Sequence, residues 1–165
     1  MTINDFMIRF APGFNELAED EITAINNFTL LWSLLEAQVL NTSASASAII
    51  SKANEWAQEN RLQTLNLMPF TSYFRNRYVE SGELNHRFDH LHLRSNDQPE
   101  LVKSVLLEQA GEQEIQLSAC LIIVLRFRNN FFHGLKWAYE MRDQKNNFET
   151  ASALLKECIA IQSTS

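Results

Sequence analysis

Apolar residues recur at intervals of three or four along most of this chain. In residues 15–41 the recurring positions are Ala18, Ile22, Ile25, Trp32, Leu35 and Val39. Such spacing places apolar side chains along one face of a helix. The 165 residues include only four Gly and three Pro, which leaves little material for the many turns of a β fold. The sequence therefore predicts an all-α fold.

Residues that cap helices divide the rest of the chain. Asp97 is predicted to begin one helix, and Gly134 is predicted to end the helix over residues 112–133. Asn146 is predicted to begin the last helix, so we expect five to six helices in all. A chain of this length with 45% hydrophobic residues can bury one substantial core, which favours a single domain over residues 1–165.

Charge is distributed unevenly along the chain. The formal net charge is −6, which argues against a protein that coats polyanions in general. Residues 121–147 nevertheless carry five basic residues against two acidic ones, a local charge of +3. An anion-binding site is therefore expected in this stretch.

The cysteines and the apolar segments indicate the cellular setting. Cys120 and Cys158 are isolated and lie inside helical patterns, so both are expected to be buried thiols in a reducing cytoplasm. The longest apolar run is much shorter than the ~20 residues that a membrane span requires. The first residues lack the basic and apolar regions of a signal peptide. These features favour a cytoplasmic protein without a membrane span.

One segment, LIIVLRFRNNFFHGLKW at residues 121–137, changes abruptly from aliphatic to polar. On a helical wheel two apolar faces lie side by side, one with Cys120, Val124, Phe127 and Phe131 and one with Leu121, Leu125 and Phe132. The remaining side collects Arg126, Asn129, Asn130 and His133. The simplest interpretation is a C-terminal cap, because basic residues favour the negative end of the helix dipole. A cap alone does not explain two arginines beside large apolar faces, since charges near a core need partners.

The residues RNNFFHG resemble the R-x4–6-H signature of the HEPN superfamily (higher eukaryotes and prokaryotes nucleotide-binding domains). Arg128, Asn129 and His133 match the arginine, the polar residue that follows it and the histidine. Arg126 satisfies the R-x6-H spacing, so the choice of the principal arginine stays open, with Arg128 preferred because Asn129 follows it. The predicted long first helix and amphipathic last helix agree with a HEPN-like helical bundle over most of the chain.

The resemblance implies a metal-independent endoribonuclease that needs no cofactor, of the kind found among toxins and phage-defence effectors. His133 would remove the proton of a ribose 2′-OH as general base. Arg128 would bind phosphate oxygens, and Asn129 would orient the histidine or the phosphate. The products would carry 2′,3′-cyclic phosphate and 5′-OH ends.

Four further residues are candidates for supporting roles at this site: Arg126, Asn130, Lys136 and Glu36. Glu36 lies within an apolar helix and is either the buried partner of one of the two arginines or an ordinary residue of an exposed face. HEPN domains pair so that two motifs face one cleft, which implies a homodimer. RNA is the expected substrate, and an antitoxin or another neutralising protein is a further candidate partner.

Two other segments carry candidate binding residues. YFRNRY places Arg75 and Arg77 among aromatic residues, which indicates either an RNA-binding surface or a packed helix whose arginines reach solvent. NHRFDHLHLR contains His86, His90 and His92, which could bind a metal ion. This cluster lacks an obvious fourth ligand and surface histidines are common, so no metal is expected.

A second class of function stays open beside RNA cleavage. A HEPN-like fold could serve only as a module that binds a nucleotide or a protein partner. The net acidity of the chain favours this alternative, as does the separation of Arg128 and His133 by about 140° around an ideal helix. Incubating the protein with RNA in the presence of a chelator would separate the two classes.

Overall fold

A computed structural model describes residues 1–108, 111–134 and 141–164, and of Arg142 it describes only the backbone. Within these residues the fold is all-α, as predicted, but it has eight α-helices rather than five to six. The helices are α1 (Ile3–Phe10), α2 (Glu19–Gln38), α3 (Ala46–Gln58), α4 (Met68–Tyr78), α5 (His86–Asp89), α6 (Pro99–Leu106), α7 (Gln113–Phe132) and α8 (Lys145–Ser163). Between α4 and α5, the short strands β1 (Val79–Glu80) and β2 (Glu83–Leu84) form an antiparallel hairpin.

Helix α7 lies at the centre of the bundle. Every residue from Leu117 to Phe127 is buried, which amounts to about three turns with no exposed face. Helices α3 and α6 pack along α7, while α2 packs against α8. The buried apolar side chains of these helices form one continuous core. The charged and polar residues that follow Leu125 are therefore carried by a rigid element at the edge of that core.

The second apolar face of α7 is mostly covered by the chain itself. Leu121 and Leu125 are both buried, whereas Phe132 at the end of the helix is 55% exposed. A second copy of the chain is thus not needed to cover the two leucines. Only Phe132 remains available from this face for contact with another molecule.

The N-terminal region is more divided than the periodicity predicts. An additional helix, α1, precedes the predicted one, and none of its residues is buried. A glycine with a φ of +77°, Gly13, then leads into a 3₁₀ turn at Phe14–Glu16. Helix α2 begins only at Glu19, where the N–H of Ala18 donates to the carboxylate of Glu21 at 2.8 Å.

Two predicted caps have different outcomes. Gly134 has a φ of +73°, as expected for a residue that ends α7 in the left-handed conformation. The prediction that Asp97 caps α6 is wrong, because Gln98, with a φ of +54°, holds that position. The carboxylate of Asp97 instead accepts the N–H of Arg94 at 2.8 Å, in a 3₁₀ turn that closes just before α6. This position leaves the carboxylate buried and directed at α7.

Both cysteines are free and buried, as predicted. Burial raises the pKa of the Cys120 thiol to about 12 and also raises the pKa of Cys158. No helix in the described part of the chain combines the length and the apolarity that crossing a bilayer would require.

Candidate functional site

Arg126 belongs to a buried polar network. Its side chain is 3% exposed, and Nη1 lies 3.3 Å from Oδ2 of Asp97. Its Nε donates to the carbonyl of Leu91 at 3.1 Å, and Nη2 donates to Oδ1 of Asn130 at 3.3 Å. Burial lowers the pKa of Arg126, and the carboxylate of Asp97 opposes that shift. The guanidinium therefore fastens α7 to the turn before α6 and has no surface to offer a substrate.

The carboxylate partner of Arg126 is not the one that the sequence suggested. Glu36 is partly buried, but its carboxylate accepts the Nε1–H of Trp32 at 2.9 Å, one turn away on α2. The proposed pairing of Glu36 with an arginine of α7 is wrong for Arg126, and no ion pair links Glu36 to Arg128 in the described residues. Nothing in the sequence indicated Asp97 as the partner, because an acidic residue at the start of a predicted helix is typical of a helix cap.

Asn130 also has a structural position. Its side chain is 1% exposed, and its Nδ2 donates to the carbonyls of His90 and Leu91 at 3.3 and 3.1 Å. Together with the bond from Arg126, these contacts join the end of α5 to α7. Asn130 therefore stabilises the end of α7 from the interior, and its buried side chain is not placed to contact a phosphate directly.

Arg128 occupies a different environment from Arg126. Its guanidinium carbon lies 5.0 Å from the centroid of the Phe132 ring, one turn later, and Nη1 donates to Oδ1 of Asn129 at 3.1 Å. Nε is buried and has no hydrogen-bond partner. No carboxylate of the described residues forms an ion pair with this arginine. The Phe132 ring and Asn129 thus hold a partly buried guanidinium in place, and within the described residues the guanidinium donates only to Asn129.

His133 caps the C-terminus of α7. Its backbone N–H donates to the carbonyl of Asn129 at 2.9 Å, and Gly134 directs the chain away by donating to Phe131 at 3.1 Å. The side chain is exposed, and its imidazole forms no hydrogen bond within the described residues. Among these residues no direct contact joins His133 to Arg128, as their angular separation predicts. The exposed imidazole of His133 therefore lies about one and a half helical turns along the chain from Arg128.

Arg75 and Arg77 are the two arginines of the predicted RNA-binding surface, and the structure gives them different contacts. Arg75 donates from Nε and Nη2 to the carbonyl of Val105 at 3.1 and 3.0 Å, and Nη1 lies 3.6 Å from Glu108. Arg75 therefore fastens α4 to α6 and is not placed to clamp RNA. Arg77 lies on the other side of α4 and lines a cavity of about 230 Å³ between α4, α5 and α7. Lys136, the remaining basic candidate, lies outside the described residues.

The cavity beside Arg77 contains residues that the sequence did not bring together. Its polar lining consists of Arg77, Tyr78, His86, Arg87, His90, Asn130, Asp143, Gln144 and Asn147. Four of these are candidates from the sequence in separate roles: His86 and His90 as metal ligands, Arg77 as an RNA contact and Asn130 as a supporting residue of the motif. No group of three or more His, Cys, Asp or Glu side chains in the described residues is arranged to hold a metal ion. This polar cavity, called the α4–α5 cleft below, is lined by two arginines, two histidines, three amide side chains, Tyr78 and Asp143.

No protein-family model, curated protein or solved structure matches this chain. The fold and site define an α-helical protein whose central helix ends in an arginine, an asparagine and a histidine that are accessible at the surface. A function has to be inferred from the chemistry of these groups and from the neighbouring α4–α5 cleft.

Proposed function

We propose that the protein is a metal-independent endoribonuclease of the HEPN type, in which Arg128, Asn129 and His133 act on the scissile phosphate. One observation carries the proposal: of the two arginines near the end of α7, only Arg128 is free of a carboxylate partner in the described residues. A purely structural helix end would not require an accessible arginine fixed by its own asparagine and phenylalanine, beside an exposed histidine.

The proposed role of Arg128 is electrostatic. The ring of Phe132 and the side-chain oxygen of Asn129 limit the motion of the guanidinium. Its planar N–H groups match two oxygens of a phosphate, and such charge-assisted bonds strengthen as negative charge develops in the transition state. A fixed donor contributes more than a mobile one, because less reorganisation accompanies the reaction.

The proposed role of His133 is proton transfer. A histidine can accept and release a proton near neutral pH, so its imidazole can take the proton of the ribose 2′-OH. The 2′ oxygen then bonds to phosphorus, and the bond from phosphorus to the 5′ oxygen breaks. The leaving oxygen must take up a proton, which gives a 2′,3′-cyclic phosphate on one product and a 5′-OH on the other.

A homodimer would supply the acid for that last step. Each chain offers one exposed histidine at the motif, and a two-fold pairing would place His133 and the partner's His133 around one cleft. Phe132, 55% exposed beside His133, provides apolar area for such a contact, and Leu30 and Leu34 of α2 are exposed as well. We further propose a cytoplasmic toxin or phage-defence role, with an antitoxin or another neutralising protein as partner.

The test uses end-labelled single-stranded RNA in excess EDTA, with wild-type protein and His133→Ala. Wild type should produce fragments with cyclic phosphate and 5′-OH ends, and His133→Ala should produce none. His92→Ala is the matched control, because His92 is an exposed histidine in the connection between α5 and α6. Unchanged cleavage by His133→Ala would remove this residue from the mechanism, and strict dependence on added metal would overturn the metal-independent assignment.

One observation favours a non-catalytic module as the second candidate function. Arg128 and His133 do not meet within a single chain, so a protein that remains monomeric would lack a complete site. Wild-type protein that binds RNA or a nucleotide, yet leaves RNA intact at all protein concentrations, would establish this alternative.

A further inference from the structure

The α4–α5 cleft holds two arginines that the fold does not neutralise. Arg77 comes from the last turn of α4 and Arg87 from α5, and neither forms an ion pair with a carboxylate of the described residues. Asp143 is the acidic residue on the described part of the cavity wall. By contrast, Lys145 in the adjoining groove is paired with Asp20 at 2.6 Å. Both arginines also line that groove, beside Asp20, Glu21 and Asp143, so they differ from Lys145 in that no ion pair within the described residues takes up either guanidinium.

The wall of the cleft is held in one arrangement by hydrogen bonds. The hydroxyl of Tyr73 donates to Oδ1 of Asn147 at 2.7 Å, and Nδ2 of Asn147 donates to Oε1 of Gln144 at 2.8 Å. Burial raises the pKa of Tyr73, so its hydroxyl stays protonated and keeps this donor role. Arg77 lies against the wall with its Nε buried and without a hydrogen-bond partner. The guanidinium carbon of Arg77 lies 5.9 Å from the centroid of the Tyr78 ring, which places the charge at the wall of the cleft.

The cleft is bounded in part by α7, the helix that carries the proposed catalytic residues. Asn130 lines the cavity, and His133 follows three residues later on the same helix. On an ideal helix the two positions are about 60° apart around the axis and about 4.5 Å apart along it. A strand whose phosphate occupies the cleft would therefore pass close to the imidazole.

We propose that the α4–α5 cleft binds a phosphate of the RNA strand that flanks the scissile phosphate, with Arg77 and Arg87 as its ligands. This inference rests on the proposed ribonuclease function for the identity of the strand. The rings of His86 and His90, 6.1 Å apart at the edge of the cleft, provide further N–H donors. The ligand is a backbone phosphate because two guanidiniums match phosphate oxygens, whereas Tyr78 and Phe127 of the lining are buried and offer no face for stacking.

The test measures binding without cleavage. Fluorescence anisotropy follows a labelled single-stranded 2′-O-methyl oligonucleotide, which lacks the attacking hydroxyl, with the full chain and with Arg87→Gln and Arg77→Gln. Arg87 is exposed, so Arg87→Gln should fold normally even where Arg77→Gln does not. Lys156→Gln is the matched control, because it removes one exposed positive charge from α8 at the acidic groove lined by Glu19 and Glu157.

Loss of one charged phosphate contact should weaken binding about tenfold and lower the slope of log Kd against log salt by about 0.7. Lys156→Gln should bind as wild type. Equal affinity of Arg87→Gln, Arg77→Gln and wild type would overturn the proposal, and so would equal weakening by Lys156→Gln. Protein that binds inorganic phosphate or a mononucleotide but not the oligonucleotide would also overturn it, in favour of a small ligand. This binding measurement does not depend on catalysis, so it tests the phosphate site separately from the ribonuclease proposal. The ribonuclease proposal fails if wild-type protein leaves RNA intact.

Discussion

Replacing Asp97 with Ala should lower the free energy of unfolding by about 3–5 kcal/mol, the usual effect of removing one partner of a buried ion pair. The carboxylate and the Arg126 guanidinium are 8% and 3% exposed and lie 3.3 Å apart. At an effective dielectric constant of about 20, charges at this distance attract each other by about 5 kcal/mol. The loss has this size because Arg126 would stay buried with its charge uncompensated. The N–H of Arg94 would lose its acceptor as well.

Urea unfolding followed by far-ultraviolet circular dichroism measures this change. Glu100→Ala is the matched control, because Glu100 is a carboxylate of the same region that pairs with Lys103 at 2.9 Å on the surface. An exposed pair of this kind contributes about 0.2–1 kcal/mol. Asp97→Asn is the milder variant, since it keeps an oxygen for the N–H of Arg94 and removes only the charge.

The three variants are expected to differ in stability in a definite order. Asp97→Ala should be the least stable, Asp97→Asn intermediate and Glu100→Ala closest to wild type. If Asp97→Ala loses no more stability than Glu100→Ala, the interaction between Asp97 and Arg126 does not fasten α7 to the turn before α6. Arg126 would then be available again for a role at the active site.

Further measurements test the remaining assignments. Arg128→Ala should lower RNA cleavage by about 10²-fold or more, while changing the free energy of unfolding by less than about 1 kcal/mol. Arg126→Ala should instead unfold at a clearly lower urea concentration. The reverse pattern would make Arg126 the catalytic arginine. Cys120 and Cys158 should react with a thiol reagent only after urea is added, and rapid reaction of native protein would contradict their burial. The free energy of unfolding should fall as pH rises above about 9, by about 1.4 kcal/mol per pH unit for each thiol. The cause is that the thiols of the unfolded chain release protons that the buried thiols of the native chain retain. A urea midpoint that stays constant between about pH 8 and 10.5 would argue against raised thiol pKa values. Light scattering should give twice the 19.0 kDa of the chain, and active protein of monomer mass would refute the homodimer.

The sequence alone was sufficient for properties that depend on neighbours along the chain. Spacing of apolar residues gave the helical class, because the period of a helix is a local property. Gly134 marked the end of α7 correctly, because the left-handed conformation that it adopts is strained for other residues. The sequence also placed the polar residues at the end of an apolar helix. It did not reveal α1, although Thr2 and Asp5 form a capping box there and Ile3, Phe6, Met7 and Phe10 recur at helical spacing.

Only the tertiary structure decided which polar residues at the end of α7 are structural. Arg126 and Arg128 lie two residues apart, about 200° around a helix, so they face nearly opposite directions. Which of them becomes buried depends on what packs against each side, and Asp97 reaches Arg126 from a turn that is distant along the chain. The same holds for the α4–α5 cleft, where Arg77 of α4 and Asn130 of α7 meet through packing of the helices. Local periodicity carries no information about such contacts, because the free energy of a buried charge is set by groups that only folding brings together.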